Sequence, residues 1–140
     1  MNGHPNLPAG GVYRDAYALA ADLRAVPLRA QRKSAAVTRH YAMLMETRVK
    51  ARASGRPGPR VITGAYRRSW TSGVDVTVTG VRGWAGTNAP QARRLEFGFV
   101  GADRLGRVYA QPPFPHAGPA FDETAPQWED AMADILRTVL

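Results

Sequence analysis

The residues with chemistry to offer in this 140-residue chain are three histidines, eleven acids and no cysteine. A protein nucleophile needs a Ser, Thr or Cys beside a base that is itself held in place. His4 falls in a loose, polar start, His40 on the basic side of a helical stretch, and His116 in a run of prolines. None has a motif around it. Zinc sites show paired ligands at short intervals, which three scattered histidines without cysteine do not provide. The adjacent acids Asp122–Glu123 and Glu129–Asp130 read as favourable charges on a helix or its cap rather than as a catalytic pair. Neither a GxxxxGK[ST] loop nor a GxGxxG turn occurs. The expectation is a protein with no catalytic residue, no metal and no cofactor, hence not an enzyme.

Charge is the stronger signal. The chain carries 19 Lys+Arg against 11 Asp+Glu, and residues 29–68 hold eleven of those cations against the single acid Glu46. The last twenty residues hold Asp122, Glu123, Glu129, Asp130 and Asp134 against Arg137. A basic half and an acidic end suit either a polyanion or head-to-tail contact between identical subunits. Arg outnumbers Lys by 17 to 2, which fits bidentate phosphate binding but also follows from a GC-rich coding sequence, to which we give more weight. No zinc-finger spacing, RNP-like strand or helix-turn-helix signature accompanies the charge.

The elements that position these residues belong to one domain, since at this length a folded chain buries about 68% of its unfolded surface and 44% of the residues are hydrophobic. Residues 1–11 read as a flexible arm and 12–140 as the domain. Apolar spacing predicts a short helix over Tyr13–Val26, ended by Pro27, and a longer one from about Leu28 to Ala53. On the longer helix, Ala30, Val37, Tyr41, Leu44 and Met45 share one face, and Arg29, Arg32, Lys33, Arg39 and Lys50 gather opposite. Ser54–Arg60 contains two glycines and two prolines and must be a loop. Alternation at Val74, Val76 and Val78 marks a strand, and Val81–Thr87 returns as a second, with Trp84 as its large buried residue. A short helical turn over Pro90–Glu96, an extended piece Phe97–Val100, a loop Gly101–Gly106 and a strand Val108–Gln111 follow. Four prolines in residues 112–119 forbid a helix there. In the C-terminal helix Thr124 and Gln127 form a capping box, Pro126 sits in the first turn, and Trp128, Met132, Ile135 and Val139 make the apolar stripe. The fold class expected is α+β: a small antiparallel sheet packed by a long helix from the N-terminal half and a C-terminal helix, joined by long Gly/Pro-rich loops. No run of 18 apolar residues is present, so no spanning helix is expected, and the first residues lack the pattern of an export signal.

Three segments carry a resemblance. Pro59 followed by Thr63-Gly64-Ala65-Tyr66-Arg67-Arg68-Ser69, then Ala92-Arg93-Arg94-Leu95-Glu96-Phe97-Gly98, then Pro113-Phe114-Pro115-His116-Ala117-Gly118-Pro119-Ala120-Phe121 occur in this order. The chain thereby resembles the small tail-component family of long-tailed bacteriophages, the neck or tail-completion proteins, over residues 15–140. It departs from the family pattern at Asn88-Ala89-Pro90, where a tyrosine is usual, and in a longer loop after Gly98. The resemblance implies a structural virion protein, made in the host cytoplasm. Such proteins form a ring, here expected to be hexameric, that joins the DNA-filled head on the head-closure side to the tail terminator or tube.

Within that frame Arg67, Arg68, Glu96, Phe97, Phe114, Asp130 and Asp134 are the ring-interface candidates. Glu96 is expected to pair with Arg93, Arg94 or the Arg67–Arg68 pair, and Asp130 and Asp134 with a neighbouring subunit's basic helix or loop. Phe97, Phe114 and Phe121 are core or subunit-contact anchors. Arg56 and Arg60, on the Gly/Pro loop, are the candidates to line a DNA channel, touching DNA weakly and without sequence preference. Residues 1–11, 54–60 and 101–106 are expected to be disordered in the free subunit and to order on docking. No membrane partner is expected. The alternatives are a basic, non-specific nucleic-acid-binding module and, third, a toxin-like or enzymatic domain.

Overall fold

The computed structural model describes residues 15–139, so the expected arm at 1–11 lies outside the described residues. The architecture is α+β: a 37-residue helix α1 (Ala16–Arg52), a one-turn helix α2 (Ala65–Arg68), strands β1 (Thr71–Val76) and β2 (Val81–Gly86), a short helix α3 (Ala92–Phe97), strands β3 (Phe99–Ala102) and β4 (Val108–Gln111), and α4 (Ala117–Val139).

Pro27 does not end the first helix. α1 starts at its cap Asp15, whose carboxylate accepts the Ala18 N–H at 2.9 Å, and runs through Pro27 for about 55 Å. Pro27 and Leu23 are both exposed, so the carbonyl that Pro27 fails to bond stays open to water and the helix tolerates the break. The opposite correction applies to α4. It begins at Ala117, inside the segment whose prolines were expected to keep it extended, and Pro119 falls in the first turn, where its missing N–H would have had no partner. Thr124 is therefore in the helix interior, with its hydroxyl donating to the Ala120 carbonyl at 2.7 Å rather than capping, and Pro126 lies well beyond the first turn. The stripe expected on α4 holds, with Ile135 and Val139 buried and Trp128 and Met132 half-buried.

α1 packs against both α4 and the β1–β2 ribbon. Its buried residues Thr38, Ala42 and Val49 recur at helical spacing, and Val49 meets Trp70 and Ala120 in a small core bordered by Met45, Tyr66 and Ala117. Polar cross-links reinforce this packing. Trp128 Nε1 donates to Thr38 Oγ1 at 3.0 Å, and Arg48 donates to Thr124 Oγ1 and Gln127 Oε1, both at 2.9 Å. Glu123 of α4 pairs with Arg48 and Arg52 of α1, so part of the attraction between the basic half and the acidic end is used within the chain itself.

The strands make two separate antiparallel ribbons rather than one sheet. In β1–β2, Gly83 pairs with Val74 and Trp84 with Gly73. Gly83 faces α1, where an added Cβ would come within 2.7 Å of the buried Thr38 methyl. Parity then turns Trp84 outward, across the face of Gly73, and leaves it 40% exposed instead of buried. Val78, expected to extend the strand, is in the exposed turn after β1. Glu46 ties α1 to this ribbon by accepting the Ser72 hydroxyl at 2.5 Å, and the Lys50 ammonium beside it, with Ser72, holds its carboxyl below the ordinary range.

At Gly83 the ribbon leaves no room for a side chain against Thr38. Gly83→Val is expected to lose about 2 kcal/mol of stability by overpacking against Thr38. Gly80→Ala, where an added Cβ meets nothing within 4 Å, should change stability by less than about 0.5 kcal/mol. Urea unfolding followed by circular dichroism measures both.

Candidate functional site

The three segments that carry the resemblance meet at the start of α4. Glu96, on α3, turns its carboxylate onto the first backbone amides there: Oε2 accepts the N–H groups of His116 and Ala117, each at 2.9 Å, and Oε1 accepts that of Gly118 at 2.8 Å. A helix presents unpaired N–H groups and a partial positive charge at this end, and one carboxylate answers both. Burial alone would push the Glu96 carboxyl up; the three amide donors and the neighbouring His116 outweigh that and hold it below the ordinary value.

His116 is fully buried. Its Nδ1 lies 2.7 Å from the Phe114 carbonyl oxygen and 3.0 Å from Glu96 Oε2. Both are acceptors, so Nδ1 carries a proton. Nε2 lies 2.5 Å from the Tyr66 hydroxyl oxygen and shares a hydrogen bond with it. Burial, aided by the Glu96 charge, pushes the Tyr66 phenol up, against a smaller opposite pull from the Trp70 N–H. That N–H makes no full hydrogen bond among the described residues. The rings of Tyr66, Trp70 and His116 meet edge to face, with centroids 5.6 to 6.3 Å apart.

The remaining motif residues support this junction. Gly64 adopts φ +79° at the start of α2, and Thr63 Oγ1 accepts the Ala65 N–H at 3.2 Å. Ser69 Oγ sits 2.5 Å from the Tyr66 carbonyl oxygen and 2.6 Å from Thr87 Oγ1, linking α2 to the chain after β2. Gly98 has φ +78°, and a Cβ there would lie 2.8 Å from the Gln111 carbonyl oxygen and 3.0 Å from Pro113 N. Only glycine lets α3 end so close to the segment leading into α4. The Phe114 N–H then donates to the Leu95 carbonyl at 2.7 Å.

The interface and channel candidates divide around the junction. Glu96 serves α4 instead of pairing with Arg93, Arg94, Arg67 or Arg68, because three adjacent amides and a histidine outcompete exposed guanidinium groups. Arg67 donates to Ser54 Oγ at 3.0 Å, and Arg68 lies against Gly64 and the Thr63 carbonyl. Phe114 is half-buried under the Arg56 guanidinium, 3.8 Å from the ring centroid. Phe97 is 74% exposed and Phe121 is exposed as well, so neither anchors the core. Arg60 is exposed, and Asp130 and Asp134 are exposed on later turns of α4, where Asp134 pairs with Arg137. The loop 54–60 is tied down by Arg67, by the Arg56 stack and by a Gly55 N–H to Pro59 carbonyl bond at 2.9 Å, contrary to the disorder expected of it. In the turn 103–107, Asp103 accepts the Leu105 and Arg107 N–H groups and pairs with the Arg107 guanidinium, so this loop too has a fixed shape.

Chemically the junction is closed. Both nitrogens of His116 are engaged and none of the ring reaches solvent, so the Tyr–His–Glu arrangement offers no accessible base. Among the described residues, no group of three His, Cys, Asp or Glu side chains could hold a metal, and no helix is long and apolar enough to cross a membrane. Sequence reasoning missed the role of His116 because its partners lie 20 and 50 positions away.

Two outcomes follow. Glu96→Ala leaves three amides without a partner and is expected to cost about 3 kcal/mol, a fall of roughly 10 °C in Tm. Tyr66→Phe strands His116 Nε2 and should cost about 1–2 kcal/mol. Because the folded Glu96 carboxyl is held below its ordinary value of 4.5, its contribution is complete above that pH and lost as pH falls through the folded pKa. Urea midpoints at decreasing pH should therefore fall less for Glu96→Gln than for the parent protein. Compared with known proteins, the chain matches no family model, no curated protein and no solved structure.

Proposed function

We propose that this chain is a structural virion protein that assembles into a ring in the neck of a long-tailed bacteriophage and joins head to tail. The observation that carries the reading is the convergence of the three resembling segments: Tyr66 and Trp70 from the first, Glu96 from the second and His116 from the third meet in one junction. Motif resemblance in three places and one physical role for all three support each other.

The surface also suits assembly. On β3–β4 the register places Val100 beside Ala110 and Ala102 beside Val108 on one face, with Val100 80% and Val108 77% exposed. An isolated two-stranded ribbon with a bare apolar face is marginal in water and gains by being covered. The first turns of α1 add the exposed Tyr17, Leu19 and Leu23. In this reading the partners are further copies of the chain, a head-closure protein and a tail terminator or tube protein. DNA passes through the lumen. Both channel candidates, Arg56 and Arg60, are exposed, and Arg56 stacks on Phe114.

Light scattering of the purified protein over a concentration series, with electron microscopy of the largest species, tests the reading. Closed rings, expected to contain six copies, support it; a monomer at every concentration, with no binding to head or tail particles lacking the protein, contradicts it. Duplex DNA titrated by fluorescence anisotropy should show binding at low salt that disappears at physiological salt. Tight binding that survives salt would favour the nucleic-acid-binding module instead.

A further inference from the structure

The loop between α1 and α2 is held at both flanks and bare at its tip. Gly58 and Pro59 are buried, and a Cβ on Gly58 would sit 1.9 Å from the Arg52 carbonyl oxygen, so the backbone lies directly on the end of α1. Arg56 donates to the Gly58 carbonyl at 3.1 Å while stacking on Phe114. On the other flank Gly64 is buried at positive φ beneath Arg68. Between these anchors Arg60, Val61 and Ile62 are exposed, and Ile62 is exposed to 93%. A tip fixed in this way loses little conformational freedom on docking, and its isoleucine gains by leaving water.

A shallow groove of about 400 Å³ between α1 and α4 has the complementary chemistry. Half-buried Tyr41, Leu44 and Ala131 supply apolar surface, and exposed Asp130 and Asp134 supply negative charge on the α4 side. Asp134 shares its charge with the exposed Arg137, and His40 and Gln127 complete the lining, in which Asp130 and Asp134 are the acids of a chain of net charge +8.

We propose that the Arg60-Val61-Ile62 tip of one copy seats in the α1–α4 groove of the next, with Val61 and Ile62 against Tyr41 and Leu44 and the Arg60 guanidinium at Asp130 and Asp134. Both halves of the contact, apolar and ionic, are on this chain, and this double complementarity selects a second copy as the occupant. The two patches differ, so the contact is heterologous and can repeat from copy to copy, as a ring requires. Arg60 is then an interface residue rather than a lumen residue. The proposal rests on the assembly reading above and names its interface.

The chain has no cysteine, which makes cross-linking a clean test. Oxidising an Ile62→Cys, Ala131→Cys double variant should give a disulfide-linked ladder that extends beyond dimer, while either single variant stops at dimer. Arg60→Glu should weaken assembly measured by light scattering about tenfold or more, and Asp130→Arg with Asp134→Arg should restore it. If oligomers form but the double variant gives no ladder and Arg60→Glu assembles like the parent, this contact is wrong and the assembly reading survives. A protein that stays monomeric at every concentration overturns this contact, and one that also fails to bind head or tail particles lacking it overturns the assembly reading as well.

Discussion

The fold depends on one carboxylate placed at the start of one helix. Glu96 accepts three successive amides of α4, which satisfies donors that burial would otherwise leave unpaired and sets negative charge against the helix dipole. The orientation of α4 follows from this. The His116 ring, fixed by Glu96 and the Phe114 carbonyl, presents Nε2 to Tyr66, and Tyr66 in turn flanks the core where Val49 of α1 meets Trp70 and Ala120. Four segments distant in sequence are thereby referred to one point.

Such a junction matters more here than in a protein with a large core. The fully enclosed apolar cluster is small, and much of the remaining alignment of α1 with α4 comes from directed polar contacts such as Trp128 to Thr38 and Arg48 to Thr124. A chain built this way holds a defined shape while leaving apolar faces, on β3–β4 and on the first turns of α1, outside its own core. Burying those faces between copies would supply the apolar contact that exposed ion pairs alone cannot provide. The internal pairing of Glu123 with Arg48 and Arg52 removes part of the charge asymmetry from that task, which leaves Asp130 and Asp134 as the acids of α4 that line the groove.

Local patterns made the fold class legible. The helical period over residues 30–49, the β1–β2 alternation and the stripe on α4 each express a face buried within one element. What misled were features decided at a distance. Pro27 predicts a helix end unless the carbonyl it abandons can reach water. Thr124 and Gln127 imitate a cap because the true capping group, Glu96, sits 20 residues before His116 on another helix. Trp84 reads as core by its size, and only the close approach of Gly83 to α1 decides which side of the ribbon it takes. The junction was legible as motif residues at 63–69, 92–98 and 113–121 but not as a site, because a hydrogen bond between Tyr66 and His116 leaves no trace in any short window.

The account stands most directly on the amides of His116, Ala117 and Gly118, and their native-state hydrogen exchange measures what the Glu96 carboxylate does. The expected result is protection close to that of the most protected amides in the core, released only by global unfolding and lost in Glu96→Ala. Exchange at the rate of an open, fraying helix end in the parent protein would contradict the account.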